Sequence, residues 1–179
     1  QLGRALRQAL HVHDVIVPDE SALDVTDAEL VRAAVGDARP DAVVHCAALT
    51  DTARCEREPE LAHAVNADGA ERVARACMAA RARLVAVSTN EVFDGTARDA
   101  YLERDAPGPI NVYGASKLAG ERLAAGACRD TLIVRTAWLY GEGGDHFPAK
   151  VLRAARAGGP LRFVTDEVAT PTNAGWPTG

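Results

Sequence analysis

The sequence lacks several features that would indicate a membrane protein or a nucleic-acid-binding protein. Its longest apolar runs have the length of strands, and we recognise neither a membrane span nor a secretory signal. The 20 basic and 25 acidic residues are interspersed, so the net charge is −5 and there is no basic stripe for duplex binding. We therefore expect no membrane and no nucleic acid among the partners.

The spacings that are typical of metal sites and redox motifs are also missing. The four cysteines, which have no C-x-x-C spacing, are Cys46, Cys55, Cys77 and Cys128. We interpret them as small buried hydrophobic residues in a reducing cytoplasm. The five histidines do not combine with cysteines or carboxylates at the intervals of a zinc site, so no metal site is predicted.

What the chain does contain is an alternation of helix-like and strand-like segments. Its 179 residues are 47% hydrophobic, which is enough for one substantial core. The predicted helices cover residues 2–10, 26–35, 59–80, 110–126 and 146–157. The predicted strands cover residues 15–17, 42–46, 84–88, 131–135 and 161–164.

These strands are apolar throughout, which predicts a parallel sheet covered by helices on both faces. This is the doubly wound, Rossmann-like α/β fold, in which ligands bind outside the carboxyl ends of the strands. Thr50, Thr89 and Trp138 each follow the end of a predicted strand. We therefore expect the functional site at that edge of the sheet.

A tyrosine and a lysine four residues apart, Tyr113 and Lys117, form a proton-delivery pair on a predicted helix. The spacing places both side chains on one face of the helix. A free tyrosine has a pKa of about 10, and a neighbouring ammonium favours the phenolate and lowers that pKa. The hydroxyl of Ser88 or Thr89 would hold a substrate oxygen beside the phenol. This is the chemistry needed to reduce a ketone or to oxidise an alcohol.

The Tyr-x-x-x-Lys pattern with an upstream Ser or Thr resembles the short-chain dehydrogenase/reductase superfamily. Over essentially its whole length the chain resembles the dTDP-4-dehydrorhamnose reductases, which are extended members of that superfamily. The segments that carry this resemblance are Q-L-G-R at 1–4, L-D-V-T-D at 23–27, R-P-D-A-V-V at 39–44, H-C-A-A-L-T at 45–50, E-P-E-L-A at 58–62, V-N-A at 65–67, S-T-N-E-V-F-D-G at 88–95, N-V-Y-G at 111–114, K-L-A-G-E at 117–121 and R-T-A-W-L-Y-G at 135–141.

The resemblance implies that the chain binds NADH or NADPH. Gly3 would let the first helix pack close to the sheet, with its amino end facing the pyrophosphate. Lys117 would hold the nicotinamide ribose. The cofactor-binding residues implied in this way are Gln1, Leu2, Gly3, Asp19, Asp24, Val25, Ala47, Ala48, Thr50, Tyr113 and Lys117. Asp19 follows the second strand of this fold, where a carboxylate binds the adenosine ribose and repels a 2′-phosphate, so NADH is favoured over NADPH.

The resemblance also implies a substrate, a dTDP-linked 4-keto-6-deoxy sugar whose C4 keto group is reduced to give dTDP-L-rhamnose for surface polysaccharide. Tyr113 would protonate the new oxyanion and Thr89 would polarise the carbonyl, with Asn90 and Trp138 beside the sugar. The family's usual Asp-Tyr is Asn90-Glu91 in this chain, which changes the sugar contacts but leaves the reducing residues in place. A homodimer is compatible with this resemblance.

Two alternatives stay open at this point. A sugar-nucleotide epimerase or dehydratase would share Tyr-x-x-x-Lys, and Asn90-Glu91 is similar to the Asp-Glu that dehydratases carry there. A non-catalytic cofactor-binding subunit, similar to the regulatory subunit of methionine adenosyltransferase, would share the fold without the reaction.

The ends of the chain suggest an internal part of a longer protein. The sequence starts at the helix that follows the glycine-rich turn, so the first strand of the fold is missing. We expect residues 1–179 to form a partial nucleotide-binding domain, with 146–179 leading into a substrate lobe. We also expect these residues alone to be inactive.

Overall fold

The computed structural model describes residues 2–18, 22–142, 146–158, 160–163 and 165–175. Its helices are α1 (Leu2–Ala9), α2 (Ala28–Ala38), α3 (Thr52–Arg57), α4 (Pro59–His63), α5 (Gly69–Ala80), α6 (Val112–Ala127) and α7 (Phe147–Arg156). A π-helical turn, Ala64–Asp68, joins α4 to α5, and a 3₁₀ turn covers Asn90–Val92. The strands are β1 (Ala42–His45), β2 (Arg83–Thr89), β3 (Thr131–Thr136), β4 (Leu139–Tyr140) and β5 (Thr172–Asn173).

The chain divides into two compact units, of which the larger is Pro18–Arg135. Its sheet has the strand order β1-β2-β3. Strands β1 and β2 are parallel, with Ala42 opposite Arg83 and His45 opposite Ala86. A parallel pair needs a long crossover, and the segment from α3 to α5 supplies it. The predicted parallel α/β fold is confirmed for this unit.

The core of this unit lies between the sheet and helices α2, α5 and α6. Among its fully or almost fully buried side chains are Val31, Ala74, Leu84 and Ala124. A β-carbon at Gly120 would overlap the carbonyl oxygen of Asn66, so α6 approaches the π-helical turn at backbone contact. Only glycine permits this approach, which sets the spacing between α6 and the π-helical turn.

One strand prediction is wrong for the described residues. Residues 15–17 form no strand, and Ile16 is 65% exposed, because this short run has no neighbouring strand there to complete its backbone hydrogen bonds. In β3, Leu132 (56%) and Val134 (36%) are exposed.

The other unit comprises Gln1–Val17 and Thr136–Gly179. Strands β4 and β5 pair in parallel, with Leu139 opposite Thr172. Each strand has only two residues, so the sequence did not predict either of them. Residues 161–163 form no strand, and residue 164 lies outside the described residues. The prediction that residues 146–179 lead into a substrate lobe stays a prediction.

The remaining helix predictions are confirmed with shifted bounds, except that residues 59–80 are divided by the π-helical turn. All four cysteines are free, and Cys46 alone among them is only half-buried. Within the described ranges no helix is long and apolar enough to cross a bilayer. No group of three or more histidine, cysteine or acidic side chains within those ranges could hold a metal ion.

Candidate active site

Strand β2 delivers two buried hydroxyl residues, Ser88 and Thr89, to its carboxyl end. Thr89 also begins the 3₁₀ turn, because its Oγ1 accepts a hydrogen bond from the Glu91 backbone N–H at 3.2 Å. The Thr89 hydroxyl donates to Asn90 Oδ1 at 3.4 Å. The predicted polarising hydroxyl is therefore held in a defined orientation by the turn that follows it.

Helix α6 carries the two other predicted catalytic residues, Tyr113 and Lys117, on its buried face. Its amino-terminal cap is Asn111, whose Oδ1 accepts a hydrogen bond from the Gly114 backbone N–H at 2.7 Å. The Val112 N–H, another donor that has no partner within the helix, donates to Glu56 Oε1 at 2.8 Å. The first turn of α6 is thus fixed by side chains from two segments, and Tyr113 lies within that turn.

Burial raises the pKa of Tyr113 to about 12, and the charge of Glu91 and the Cys55 thiol act in the same direction. A side-chain hydrogen bond with Thr89 acts in the opposite direction. The expectation that Lys117 lowers the Tyr113 pKa is wrong for this structure, because Lys117 is not among the groups that shift it. The phenol is consequently a neutral donor at physiological pH.

The Lys117 ammonium is directed at the sheet, where Nζ donates to the Val87 carbonyl oxygen at 2.8 Å. Burial lowers its pKa, while the Glu121 carboxylate one turn further along α6 acts in the opposite direction, as does the Cys46 thiol. Glu121 is itself held by Arg135 in a bidentate pair of 2.9 and 2.6 Å. This buried pair gives the lysine a negatively charged neighbour that cannot move away.

The segment 46–51, which follows β1, also lies at the carboxyl edge of the sheet. The side chain of Asn66 holds this segment in place. Asn66 Oδ1 accepts from the Leu49 N–H at 2.8 Å, and its Nδ2 donates to the Leu49 carbonyl oxygen at 3.0 Å. Nδ2 also donates to Ser116 Oγ at 3.0 Å, so one amide joins the segment to α6. The sequence does not mark Asn66 as a site residue, although the V-N-A segment that contains it is among the matching motifs.

His45, the last residue of β1, is also buried behind this edge at 6% exposure. Its Nε2 has no hydrogen-bond partner, and it lines a cavity of about 10 Å³ together with Ser88, Lys117 and Glu121. Burial, with the charge of Lys117 as a second cause, lowers the His45 pKa to about 4. His45 is therefore neutral at physiological pH, so it adds no second positive charge beside the lysine.

The remaining predicted cofactor residues belong to several segments of the chain. Gln1 and Asp19 lie outside the described residues, and Leu2 and Gly3 start α1. Gly3 belongs to the smaller unit, and its expected packing on the sheet stays a prediction. Ala47 and Thr50 are exposed and Ala48 is half-buried, on the segment that Asn66 anchors.

Asp24 and Val25 have local structural roles. Asp24 Oδ1 accepts from both the backbone N–H and the hydroxyl of Thr26 at 2.8 Å, and these bonds lower its pKa. The Val25 side chain is 8% exposed and belongs to the hydrophobic core, where it packs on Gly69. A contact between this turn and a cofactor would therefore be made by exposed atoms of Asp24 rather than by the valine side chain.

Trp138 lies in the smaller unit and has a positive φ of 41°. This left-handed conformation is rare for a bulky residue and indicates strain that the surrounding structure must maintain. The indole is 44% exposed and lies 5.9 Å from the Phe147 ring, measured between ring centroids. Its predicted place beside the sugar stays a prediction.

The residues of this edge fit a nicotinamide dinucleotide. An ammonium has three donor protons, of which Lys117 directs one at Val87, so others are suited to ribose hydroxyls. Ala47 and Ala48 carry only methyl groups, which leaves the backbone open to a flat ligand. The residues that could hold the cofactor are therefore Lys117, Tyr113 and the segment 47–50.

Comparison with known proteins identifies the relatives of the chain. The family model described as the RmlD substrate binding domain matches residues 1–176. The dTDP-4-dehydrorhamnose reductase of Mycolicibacterium smegmatis is 43% identical over 178 residues, which are 97% of this chain and 54% of that protein. The dTDP-4-dehydrorhamnose reductase of Streptomyces griseus is 46% identical over 96% of this chain and 57% of its own length.

A solved structure, that of dTDP-4-dehydrorhamnose reductase from Bacillus anthracis in complex with NADP, is similar to the chain with a TM-score of 0.91. It is 38% identical, and the match covers 97% of this chain and 63% of that protein. The chain thus spans slightly more than half the length of the two curated relatives described above.

Proposed function

Since the chain belongs to the family of the RmlD substrate binding domain, we propose that the full-length protein reduces the C4 keto group of dTDP-4-dehydrorhamnose. The product would be dTDP-L-rhamnose, a precursor of surface polysaccharide. The observation that carries this proposal is the placement of two buried side chains, Thr89 at the carboxyl end of β2 and Tyr113 in the first turn of α6, where the helix backbone lies against the turn that follows β2. Lys117 lies one turn from Tyr113 on the same helix.

Tyr113 is the proton donor in this proposal. Its phenol is neutral because burial opposes the phenolate, so it carries the proton that an oxyanion at C4 needs. Thr89 is the polarising group, since its hydroxyl lies beside the phenol and would donate to the same carbonyl oxygen. A nicotinamide cofactor held by these residues would supply the hydride.

The role of Lys117 in this proposal is to bind and orient the cofactor. Its ammonium is fixed by Val87, and Glu121 supports its positive charge, so it would hold the hydroxyls of a cofactor ribose.

Either reduced nicotinamide dinucleotide is proposed as the cofactor. The preference for NADH that Asp19 suggested has no support, because the Bacillus anthracis relative holds NADP. Asp19 itself lies outside the described residues. The cytoplasmic location and the homodimer stay predictions.

The dehydratase alternative is weakened by the position of Glu91. A dehydratase needs a carboxylate free to remove a proton from the sugar, whereas Glu91 Oε2 accepts a hydrogen bond from Asn111 Nδ2 at 2.7 Å. The alternative of a regulatory subunit is disfavoured because Thr89, Tyr113 and Lys117 are all present.

The test is steady-state oxidation of NADPH and NADH by the full-length protein with dTDP-4-dehydrorhamnose, followed by identification of the product. Tyr113→Phe removes one hydroxyl, so we expect turnover to fall by about a hundredfold or more while cofactor binding persists. Tyr101→Phe is the matched control, because Tyr101 donates to Asp94 in a loop outside the site. Equal turnover in the two variants would refute Tyr113 as the proton donor, and a wild-type protein without turnover would refute the reaction.

A further inference from the structure

Glu91 contacts both the end of β2, which carries Thr89, and the start of α6, which carries Tyr113. Thr89 and Tyr113 are the two groups proposed to act on the substrate oxygen. The Glu91 backbone N–H donates to Thr89 Oγ1 at 3.2 Å, and so helps to orient the polarising hydroxyl. Its side-chain Oε2 accepts from Asn111 Nδ2 at 2.7 Å, and Asn111 is the cap of the helix that carries Tyr113. The two contacts bring the end of β2 and the start of α6 together through one residue.

The connection continues into the first turn of α6. Asn111 presents its Nδ2 to the carboxylate and its Oδ1 to the Gly114 N–H at 2.7 Å, so carboxylate, amide and helix N–H form one chain of hydrogen bonds. A bond to an ionised acceptor is stronger than one between neutral groups, and it orients the amide for capping. Without the carboxylate, the amide could rotate away from the helix.

A second contact limits movement in the same place. A β-carbon at Gly114 would overlap the carbonyl oxygen of Glu91, so the backbone of α6 lies directly against that of the 3₁₀ turn. Gly114 immediately follows Tyr113, so a shift of the turn displaces the phenol from Thr89.

The charges around the phenol act in the same region. Glu91 and the Cys55 thiol face Tyr113 from the 3₁₀ turn and from α3, and Glu56 of α3 binds the same helix end at Val112. Lys117 follows one turn later on α6. The Glu91 carboxylate also lies at the amino end of the helix, where the helix dipole favours a negative charge.

We propose that Glu91 is a positioning residue for the reduction, which holds the first turn of α6 through Asn111 so that the Tyr113 phenol stays beside the Thr89 hydroxyl. The proposal rests on the proposed function for its kinetic readout, but the geometry can be tested without it.

The kinetic test compares Glu91→Leu, Glu91→Gln and the control Glu29→Gln in the full-length protein. Glu91→Leu removes the acceptor, and we expect kcat to fall about tenfold or more with little change in KM, since small displacements of a reacting group are costly. Glu91→Gln keeps an acceptor for Asn111 but removes the charge. It should retain most of kcat and shift the alkaline limb of its pH profile to lower pH, because the phenol loses a negative neighbour. Glu29→Gln should leave both unchanged, because Glu29 is exposed on α2 and pairs with Arg32 of its own helix.

A readout without substrate separates this proposal from the proposed function. In the same variants, exchange of the Gly114 amide hydrogen and the titration of the Tyr113 ring are followed by NMR. We expect faster Gly114 exchange in Glu91→Leu and a lower Tyr113 pKa in Glu91→Gln, even if the wild-type protein fails to reduce the dTDP sugar. Unchanged Gly114 exchange in Glu91→Leu, or kcat within about twofold of the wild type, would overturn the positioning role. A lower melting temperature together with an unchanged pH profile would show that Glu91 has only a structural role, and would overturn the proposal.

Discussion

Replacing Asn66 by leucine should measure how strongly the cofactor edge is tied to the helix that carries Tyr113. The Asn66 side chain is 1% exposed, and leucine has a similar volume, so the change removes hydrogen bonds without leaving a large cavity. Three bonds are lost, two to the Leu49 backbone and one to Ser116.

Each lost bond costs about 1 kcal/mol when water can reach the remaining partner, and more when it cannot. Leu49 is half-buried and Ser116 is fully buried. We therefore expect the free energy of unfolding to fall by about 3 kcal/mol.

The assay is urea unfolding of the full-length protein, with Ser116→Ala as a graded control. Ser116→Ala removes the bond between α6 and Asn66 but leaves both bonds to Leu49, so we expect it to cost about 1 kcal/mol. The difference between the variants then measures the anchoring of the segment after β1. A cost below about 1 kcal/mol for Asn66→Leu would refute the view that this amide joins the two segments.

Three further predictions concern the same unit. Arg135→Met should lower the free energy of unfolding by about 3 kcal/mol or more in urea titrations, because the Glu121 carboxylate is 6% exposed and loses its bidentate partner. The control is Arg83→Met, which removes an exposed ion pair and should cost less than about 1 kcal/mol. Gly120→Ala should cost about 1–3 kcal/mol, since the new methyl group meets the Asn66 carbonyl, whereas Gly126→Ala, in open space on the same helix, should not destabilise the protein. The folded state holds the His45 pKa at about 4, below the 6.5 of an unperturbed histidine, so the unfolded state binds more protons between these values. Stability should therefore fall as the pH is lowered from about 6.5 to about 4, by at most about 3 kcal/mol, and His45→Asn should remove this part of the pH dependence.

The sequence alone was sufficient for the parts of the fold that depend on local pattern. The apolar runs around residues 43, 85 and 133 became β1, β2 and β3, because a strand buried between neighbours needs an uninterrupted hydrophobic segment. The four-residue spacing of Tyr113 and Lys117 placed both on the buried face of α6, since helix periodicity is a local property.

Other features depended on neighbours that no local pattern specifies. The run at 15–17 has the composition of a strand but no strand beside it among the described residues, and β4 and β5 are two-residue strands that exist only through their pairing. Asn66 and Glu91 are ordinary polar residues in the sequence. Their partners are 17 and 20 residues away, and only the folded chain brings them together.

The sequence by itself determined the parallel α/β class and the identity of the three residues proposed to act together, because strand and helix periodicity and the chemistry of hydroxyl, phenol and ammonium are local. The tertiary structure decided the protonation of the phenol. Burial raises the pKa of Tyr113 and outweighs the hydrogen bond with Thr89, while Lys117 turns toward the Val87 carbonyl. Desolvation depends on everything packed around a group, and that is set by the fold rather than by the spacing of residues along the chain.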